Sequence, residues 1–236
     1  MELNARDALF LDFDGTLAPL QDDPDAVGLE AAQTALLVEL HACLEGALCL
    51  ISGRDLDDLA ARVPSGLKLV GNHGLRRRGV PGGQWSGREA RAPEALLEAV
   101  HDLEDADVRA EVKGGVIALH YRRAPTRGAE LEAALQNAVA ELPDYRVEHG
   151  KRVLEVKPGG ASKGEALREV MAVPPFQGRR PVMFGDDTTD EAGFEAAQEL
   201  GGLGVKVGPG PTSARVRLAD PAEVFAKLAE IIHGAR

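Results

Sequence analysis

Leu9-Phe10-Leu11-Asp12-Phe13-Asp14-Gly15-Thr16-Leu17 is the stretch that decides the fold of this chain. An apolar, strand-prone run ends in two carboxylates spaced two residues apart, and a glycine follows. In extended backbone alternate side chains point the same way, so Asp12 and Asp14 face one side of the strand end and Phe13 the other. Gly15 lets the chain turn sharply. A buried strand end does not normally carry two adjacent like charges, and a divalent cation is the natural offset. A carboxylate beside such an ion can attack a phosphoryl group and form an aspartyl-phosphate. The plain alternative is an acidic turn after a surface strand.

Outward from this stretch, strands and helices alternate. Ala8 to Phe13 reads as a buried strand, and Leu29 to Leu44 has helical spacing of apolar residues. Gly46 to Ile51 is a second apolar run, ending in Ser52-Gly53-Arg54-Asp55, and Asp55 opens a helix through Val63. Leu67 to Val70 is a third strand, ending in Gly71-Asn72-His73-Gly74. This βαβαβ order predicts a parallel, Rossmann-like sheet. The stretch from Arg76 to Gly83 reads as a hairpin or linker. The order then changes to αββαββ: helices over Pro93 to Asp105 and Thr126 to Leu142, strands over Val108 to Lys113 and Val116 to Arg122, and a hairpin of Tyr145 to His149 with Lys151 to Lys157. This suits an open-faced antiparallel sheet. The α/β pattern resumes with a helix from Ser162-Lys163-Gly164, a strand at Pro181 to Phe184, Gly185-Asp186-Asp187-Thr188-Thr189-Asp190, a helix to about Leu200, a strand at Gly204 to Val207 and a terminal helix at Ala222 to Ile232. The expected fold class is α/β: a core of residues 1–88 and 159–236 with an inserted α/β domain of residues 89–158.

The inserted sheet has two faces. One is largely apolar. The other collects Glu111, Lys113, His120, Arg122, Glu148, Lys151 and Glu155, which is either an ordinary solvated face or a sugar-sized docking surface turned toward the core.

Composition narrows the function. A net charge of −11 argues against general nucleic-acid binding and weakly against docking to anionic membranes. No apolar run approaches the length of a membrane span, and the N-terminus does not read as a signal peptide. Cys43 and Cys49 sit in apolar company and are expected to be buried packing residues. A cytoplasmic monomer acting on a small molecule is the expectation.

Four segments end where open parallel sheets bind ligands: Asp12-x-Asp14, Ser52, Lys163 and Asp186-Asp187-x-x-Asp190. Each alone has a bland reading, as a turn, a surface lysine or a capping pair. Together they suit phosphoryl transfer. Mg2+ held by Asp12, Asp14 and Asp186 would offset the repulsion between carboxylate and phosphate. Lys163 would add a fixed charge and Ser52 a hydroxyl donor at the phosphate. Asp14 could protonate the leaving group and later deprotonate the attacking water. Asp187 and Asp190 are expected close behind the ion, touching it directly or through water.

In these motifs the sequence resembles the haloacid dehalogenase superfamily of phosphohydrolases and, within it, the trehalose-6-phosphate phosphatases. Gly71-Asn72-His73-Gly74, Ala118-Leu119-His120-Tyr121-Arg122, Gly150 to Pro158, Ser162 to Ala166, Gly185 to Glu191 and Val205-Lys206-Val207-Gly208 to Ala219 carry the resemblance. It implies a mobile cap domain on the core and Mg2+-dependent hydrolysis of trehalose 6-phosphate, the last step of trehalose biosynthesis. Asp12 is then the nucleophile and Asp14 the acid and base. It also implies that Glu111, Lys113, Arg122, Lys151 and Glu155 contact the disaccharide from the cap, with Asn72 and His73 on the core side. Arg76-Arg77-Arg78 departs from the family pattern beside the His-Gly pair. The competing readings are another capped sugar phosphatase, such as one for sucrose phosphate, a hexose phosphomutase, or a catalytically silent regulatory domain.

Overall fold

The computed structural model describes residues 2–21, 23–81, 91–150, 152–159 and 162–234. Contacts divide the chain into two units, Met1–Gln84 with Ser162–Arg236, and Trp85–Ala161.

The first unit is built on a seven-stranded sheet. In chain order its strands are β1 (Asp7–Leu11), β2 (Leu48–Ile51), β3 (Lys68–Gly71) and β4 (Arg76–Arg78). In the second unit lie β5 (Arg109–Lys113), β6 (Val116–His120), β7 (Tyr145–Gly150) and β8 (Val153–Pro158). The first unit then resumes with β9 (Arg180–Gly185), β10 (Leu203–Val207) and β11 (Val216–Leu218). The large sheet runs β11-β10-β9-β1-β2-β3-β4. Every pairing is parallel except β3 with β4. Strand β1 is buried along its whole length, as an apolar run in a doubly covered parallel sheet must be. It lies between β2 and β9, where the chain switches direction across the sheet and ligands of such folds gather.

The helices of this unit are α1 (Ala31–Cys43), α2 (Leu56–Arg62), α5 (Lys163–Met171), α6 (Glu191–Glu199) and α7 (Pro221–Gly234), with α3 (Glu94–His101) and α4 (Gly128–Val139) in the second unit. Asp55 caps α2 by accepting from the Asp57 amide at 2.9 Å, and Ser162 caps α5 by accepting from Glu165 at 3.1 Å. Both caps start a helix next to a strand end. Phe10 and Phe176 stack in the core at 5.4 Å between ring centroids. Cys49 is buried, whereas Cys43, in the last turn of α1, is half-buried and packs against the edge of the core.

Two strands escaped the pattern. The stretch read as a hairpin or linker contains β4, which pairs antiparallel with β3 through Leu69–Arg78, Val70–Arg77 and Gly71–Arg76. Its side chains are held by acids: Arg76 by Asp55 and Asp57 at 3.2 and 3.1 Å, Arg77 by Glu169, and Arg78 by Asp57 at 2.6 Å. β11 likewise was not anticipated. Residues 82–90 lie outside the described residues.

The second unit is a four-stranded antiparallel sheet, β5-β6-β8-β7. Leu119, Ile117, Leu154 and Val156 fill its core with Leu96 and Val100 of α3 and Leu131 and Leu135 of α4. The β7–β8 turn contains Arg152 at φ 63°, and β8 begins at Val153 rather than at Lys151, which lies outside the described residues.

Candidate active site

The site is assembled at the carboxyl ends of β1, β2, β3 and β9. Asp12 follows β1, is 4% exposed, and anchors its amide on the Phe184 carbonyl at 3.0 Å. Lys163 opens α5 with Ser162 as cap, which aims its buried ammonium inward. Its Nζ donates to Asp12 Oδ1 at 2.7 Å and to Asp190 Oδ1 at 2.6 Å. Asp190 is fully buried, and its Oδ2 accepts from the amides of Asp186 and Asp187 at 3.1 and 3.0 Å. The Gly-Asp-Asp turn is therefore wound around the Asp190 carboxylate. Gly15, at φ 79°, passes so close that a Cβ there would lie 2.2 Å from Asp186 Oδ2.

Asp12, Asp186 and Asp190 each offer an oxygen, all within 4.8 Å of one another. Two unit charges at that distance repel by roughly 3 kcal/mol at an effective dielectric of 20. Burial, with the neighbouring Asp190 and Asp186 carboxylates, pushes the Asp12 pKa up against the pull of Lys163. Burial and Asp190 push Asp186 up to about 7, while Lys163 and Lys206 hold it down. Burial works against the charge on Lys163, yet the facing Asp12 and Asp190 raise its pKa overall. Three crowded carboxylates, all hard oxygen donors, fit a small divalent cation such as Mg2+.

Asp14 goes elsewhere. Arg54 grips it with two hydrogen bonds, Nε to Oδ2 at 2.7 Å and Nη2 to Oδ1 at 2.6 Å. Arg54 also binds Asp58 at 2.8 Å and lies 5.6 Å from the Phe13 ring centroid. The acidic trio thus contains Asp190 where the sequence suggested Asp14, because Arg54 draws the Asp14 carboxylate toward α2. Asp187 is exposed and caps the following turn through Thr188 at 2.7 Å.

Ser52 is buried at the end of β2, and its Oγ accepts from the Arg54 amide at 3.1 Å. That leaves its hydroxyl proton free to donate. His73, at φ 55°, donates its amide to the Ser52 carbonyl at 3.2 Å, and its ring covers Gly53 so closely that a Cβ there would sit 2.6 Å from Cε1. Asn72 is 2% exposed, and its amide is already engaged: Oδ1 accepts from Leu56 N at 3.0 Å and Nδ2 donates to Asp55 Oδ2 at 3.1 Å. These bonds make Asn72 a brace between the β3 turn and α2.

In the second unit, Glu111, Ala118, Glu155 and Glu148 stand in one row across β5, β6, β8 and β7. Lys113 and His120 both meet Glu111 Oε2, at 3.2 and 3.3 Å. The His120 bond, then Lys113, bring the Glu111 carboxyl down to about 2 despite partial burial. Glu148 is held by Arg146 at 2.7 Å and by buried Lys157 at 2.5 Å. Arg122 is exposed beyond the end of β6. Lys151 falls outside the described residues.

Arg54 and Lys206 were given no role in the sequence reading. Arg54 stood in the Ser-Gly-Arg-Asp turn, but its partner Asp14 is 40 positions away. Lys206 did carry a signal, a single lysine between two valines of a buried strand.

The sequence profile of the trehalose-phosphatase family matches residues 10–222. A probable trehalose-phosphate phosphatase of Sinorhizobium fredii is 42% identical over 206 residues, covering 86% of this chain and 78% of the relative. The trehalose-6-phosphate phosphatase of Escherichia coli is 39% identical over 234 residues, covering 96% and 87%. The C-terminal domain of a C. albicans trehalose-6-phosphate phosphatase shares the fold, with a TM-score of 0.82 at 24% identity over 97% of this chain and 93% of that one. With its profile match running from β1 into α7, and with two relatives this similar over most of their length, the chain belongs to the trehalose-phosphatase family.

Proposed function

We propose that this protein hydrolyses trehalose 6-phosphate to trehalose and inorganic phosphate, in two steps and with Mg2+, as the last step of trehalose biosynthesis. The observation that carries the reading is the meeting of Asp12, Lys163, Asp186 and Asp190 at the switch point of the parallel sheet in a chain of this family.

Asp12 is the nucleophile. Lys163 occupies its Oδ1, which leaves Oδ2 to attack phosphorus as the bond from phosphorus to the sugar oxygen breaks. Asp14, which must first let go of Arg54, delivers a proton to the departing sugar oxygen. It then takes one from the water that attacks the aspartyl-phosphate, and phosphate leaves. Ser52 donates to a non-bridging oxygen, and Lys163 supplies positive charge beside it. Asp12 and Asp186 would hold the cation. Asp190, with Oδ1 on Lys163 and Oδ2 on two amides, fixes both the lysine and the Asp186 turn. Bound there, Mg2+ would neutralise the carboxylates and polarise the phosphoryl group. Asp187 stands behind this arrangement.

The second unit acts as the cap. Glu111, Lys113, Arg122, Lys151 and Glu155 bind sugar hydroxyls, and His73 approaches the sugar from the core. Such remote binding energy serves to align the reacting phosphate. We take the protein to work as a cytoplasmic monomer on this small molecule, without nucleic acid or membrane. Among the described residues no helix is long and apolar enough to cross a membrane.

The test is phosphate release from trehalose 6-phosphate, sucrose 6-phosphate and glucose 6-phosphate, with Mg2+ or EDTA, for wild type and Asp12→Asn. The expected result is turnover of trehalose 6-phosphate above the other esters, abolished by EDTA and by the substitution. Preference for another ester, or no turnover of any, would overturn the reading.

A further inference from the structure

Lys206 is only 4% exposed, yet the one hydrogen bond its ammonium makes among the described residues is to a neutral group, the Asp186 carbonyl. A buried ammonium is costly, and one carbonyl does not offset it. The compensation must come from nearby negative charge. Lys206 stands in register with Gly185 on the neighbouring strand β9, one residue before Asp186, and its charge is felt by the Asp186 carboxyl. Lys163 sits between Asp12 and Asp190, and Lys206 approaches from the β10 side. Three carboxylates therefore meet two lysines, one of which forms no salt bridge among the described residues.

We infer that Lys206 is an internal counter-ion of the acidic pocket. It holds the Asp186 turn together when no metal is bound and weakens the pocket's grip on a divalent cation. The inference rests on the reading of Asp12 and Asp186, braced by Asp190, as a metal centre. Its logic is linkage. A positive charge fixed beside the carboxylates stabilises the metal-free protein more than the metal-bound one, so the same charge must oppose metal binding by the same factor. Lys206 is a positioning residue on this account, since it touches neither phosphate nor sugar. The reading of Lys206 as a simple clamp on a carbonyl predicts no gain in metal affinity, because a turn that is kept or loosened binds metal no better.

Lys206→Gln separates the two, since glutamine can donate to the same carbonyl without the charge, and Lys206→Arg keeps the charge. Calorimetric titration with MgCl2 and thermal unfolding in EDTA and in MgCl2 are measured on all three proteins without substrate. Lys206→Gln is expected to melt well below wild type in EDTA, to recover most of the difference in MgCl2, and to bind Mg2+ at least about fivefold more tightly. Lys206→Arg is expected to behave as wild type. Recovery of folded Lys206→Gln only when Mg2+ is present is the extreme form of the same result. Equal destabilisation with and without metal, weaker or unchanged Mg2+ binding, or failure to fold in both buffers would overturn the inference. A wild type that neither binds Mg2+ nor is stabilised by it would remove the metal centre itself, and the inference with it.

Discussion

Gly15→Ala should remove most of the activity while leaving the fold nearly intact. Gly15 has φ 79°, and an added Cβ would lie 2.2 Å from Asp186 Oδ2 and 2.4 Å from its Cγ. Ordinary contact would require the Asp186 carboxylate to retreat by about 1 Å, and with the Asp186 amide tied to Asp190 and its carbonyl to Lys206 the shift falls on the side chain that faces Asp12. A displacement of this size in a reacting centre costs on the order of 100-fold in rate, equivalent to about 2.7 kcal/mol of barrier. The backbone strain alone costs about 1–2 kcal/mol of stability, or about 2–8 °C in Tm. Gly201 supplies the control: its φ is also 79°, but a Cβ there meets nothing within 4 Å. Gly201→Ala therefore carries the same strain without the collision. The assay compares both variants in thermal melts and in phosphate release from trehalose 6-phosphate. The expected result is a similar Tm loss in the two and a loss of rate only in Gly15→Ala. If the two variants turned over within about threefold of each other, the argument that Gly15 exists to admit Asp186 would fail.

Asn72→Ala should cost about 2–3 kcal/mol of stability, because it orphans the buried Leu56 amide and places alanine at φ 52°; denaturant melts measure this, and an unchanged midpoint with a raised KM would instead make Asn72 a ligand-binding group. The two thiols should differ in native protein at pH 8. Burial pushes Cys49 up to about 12, so almost none of it is thiolate, whereas Cys43 is half-buried. A disulfide reagent should label at most one equivalent before denaturation and two after it, and rapid labelling of both would contradict the burial of Cys49.

What could be read from the sequence was what apolar patterning writes locally. β1, β2, β9 and β10 are largely runs of buried residues, and the second unit's sheet alternates in sequence from Arg109 to Lys113 and from Val153 to Lys157, although Val112 is exposed and Lys157 buried. β4 is three arginines in succession, with no apolar pattern to betray it; it forms because β3 offers an open edge and acids from α2 and α5 meet its side chains. The acidic residues themselves were legible as a set, since strand ends place Asp12, Ser52 and Asp186 together by topology. Their division of labour was not. Asp190 enters the trio because the turn at Thr188–Asp190 folds back on the Asp186 amide, and Asp14 leaves it because Arg54 grips it across 40 positions. Neither effect has a local sequence signature.

The arginine strand has a consequence for how this sheet ends. An unpaired outer strand is a template on which a second chain can add itself. Among the described residues β4 is the outer strand of this sheet, and an incoming chain would meet side chains already bound to acids, Arg76 and Arg78 to Asp57 and Arg77 to Glu169. An edge dressed in charged side chains and ion pairs is a poor template for strand addition, so the protein should stay dispersed when concentrated.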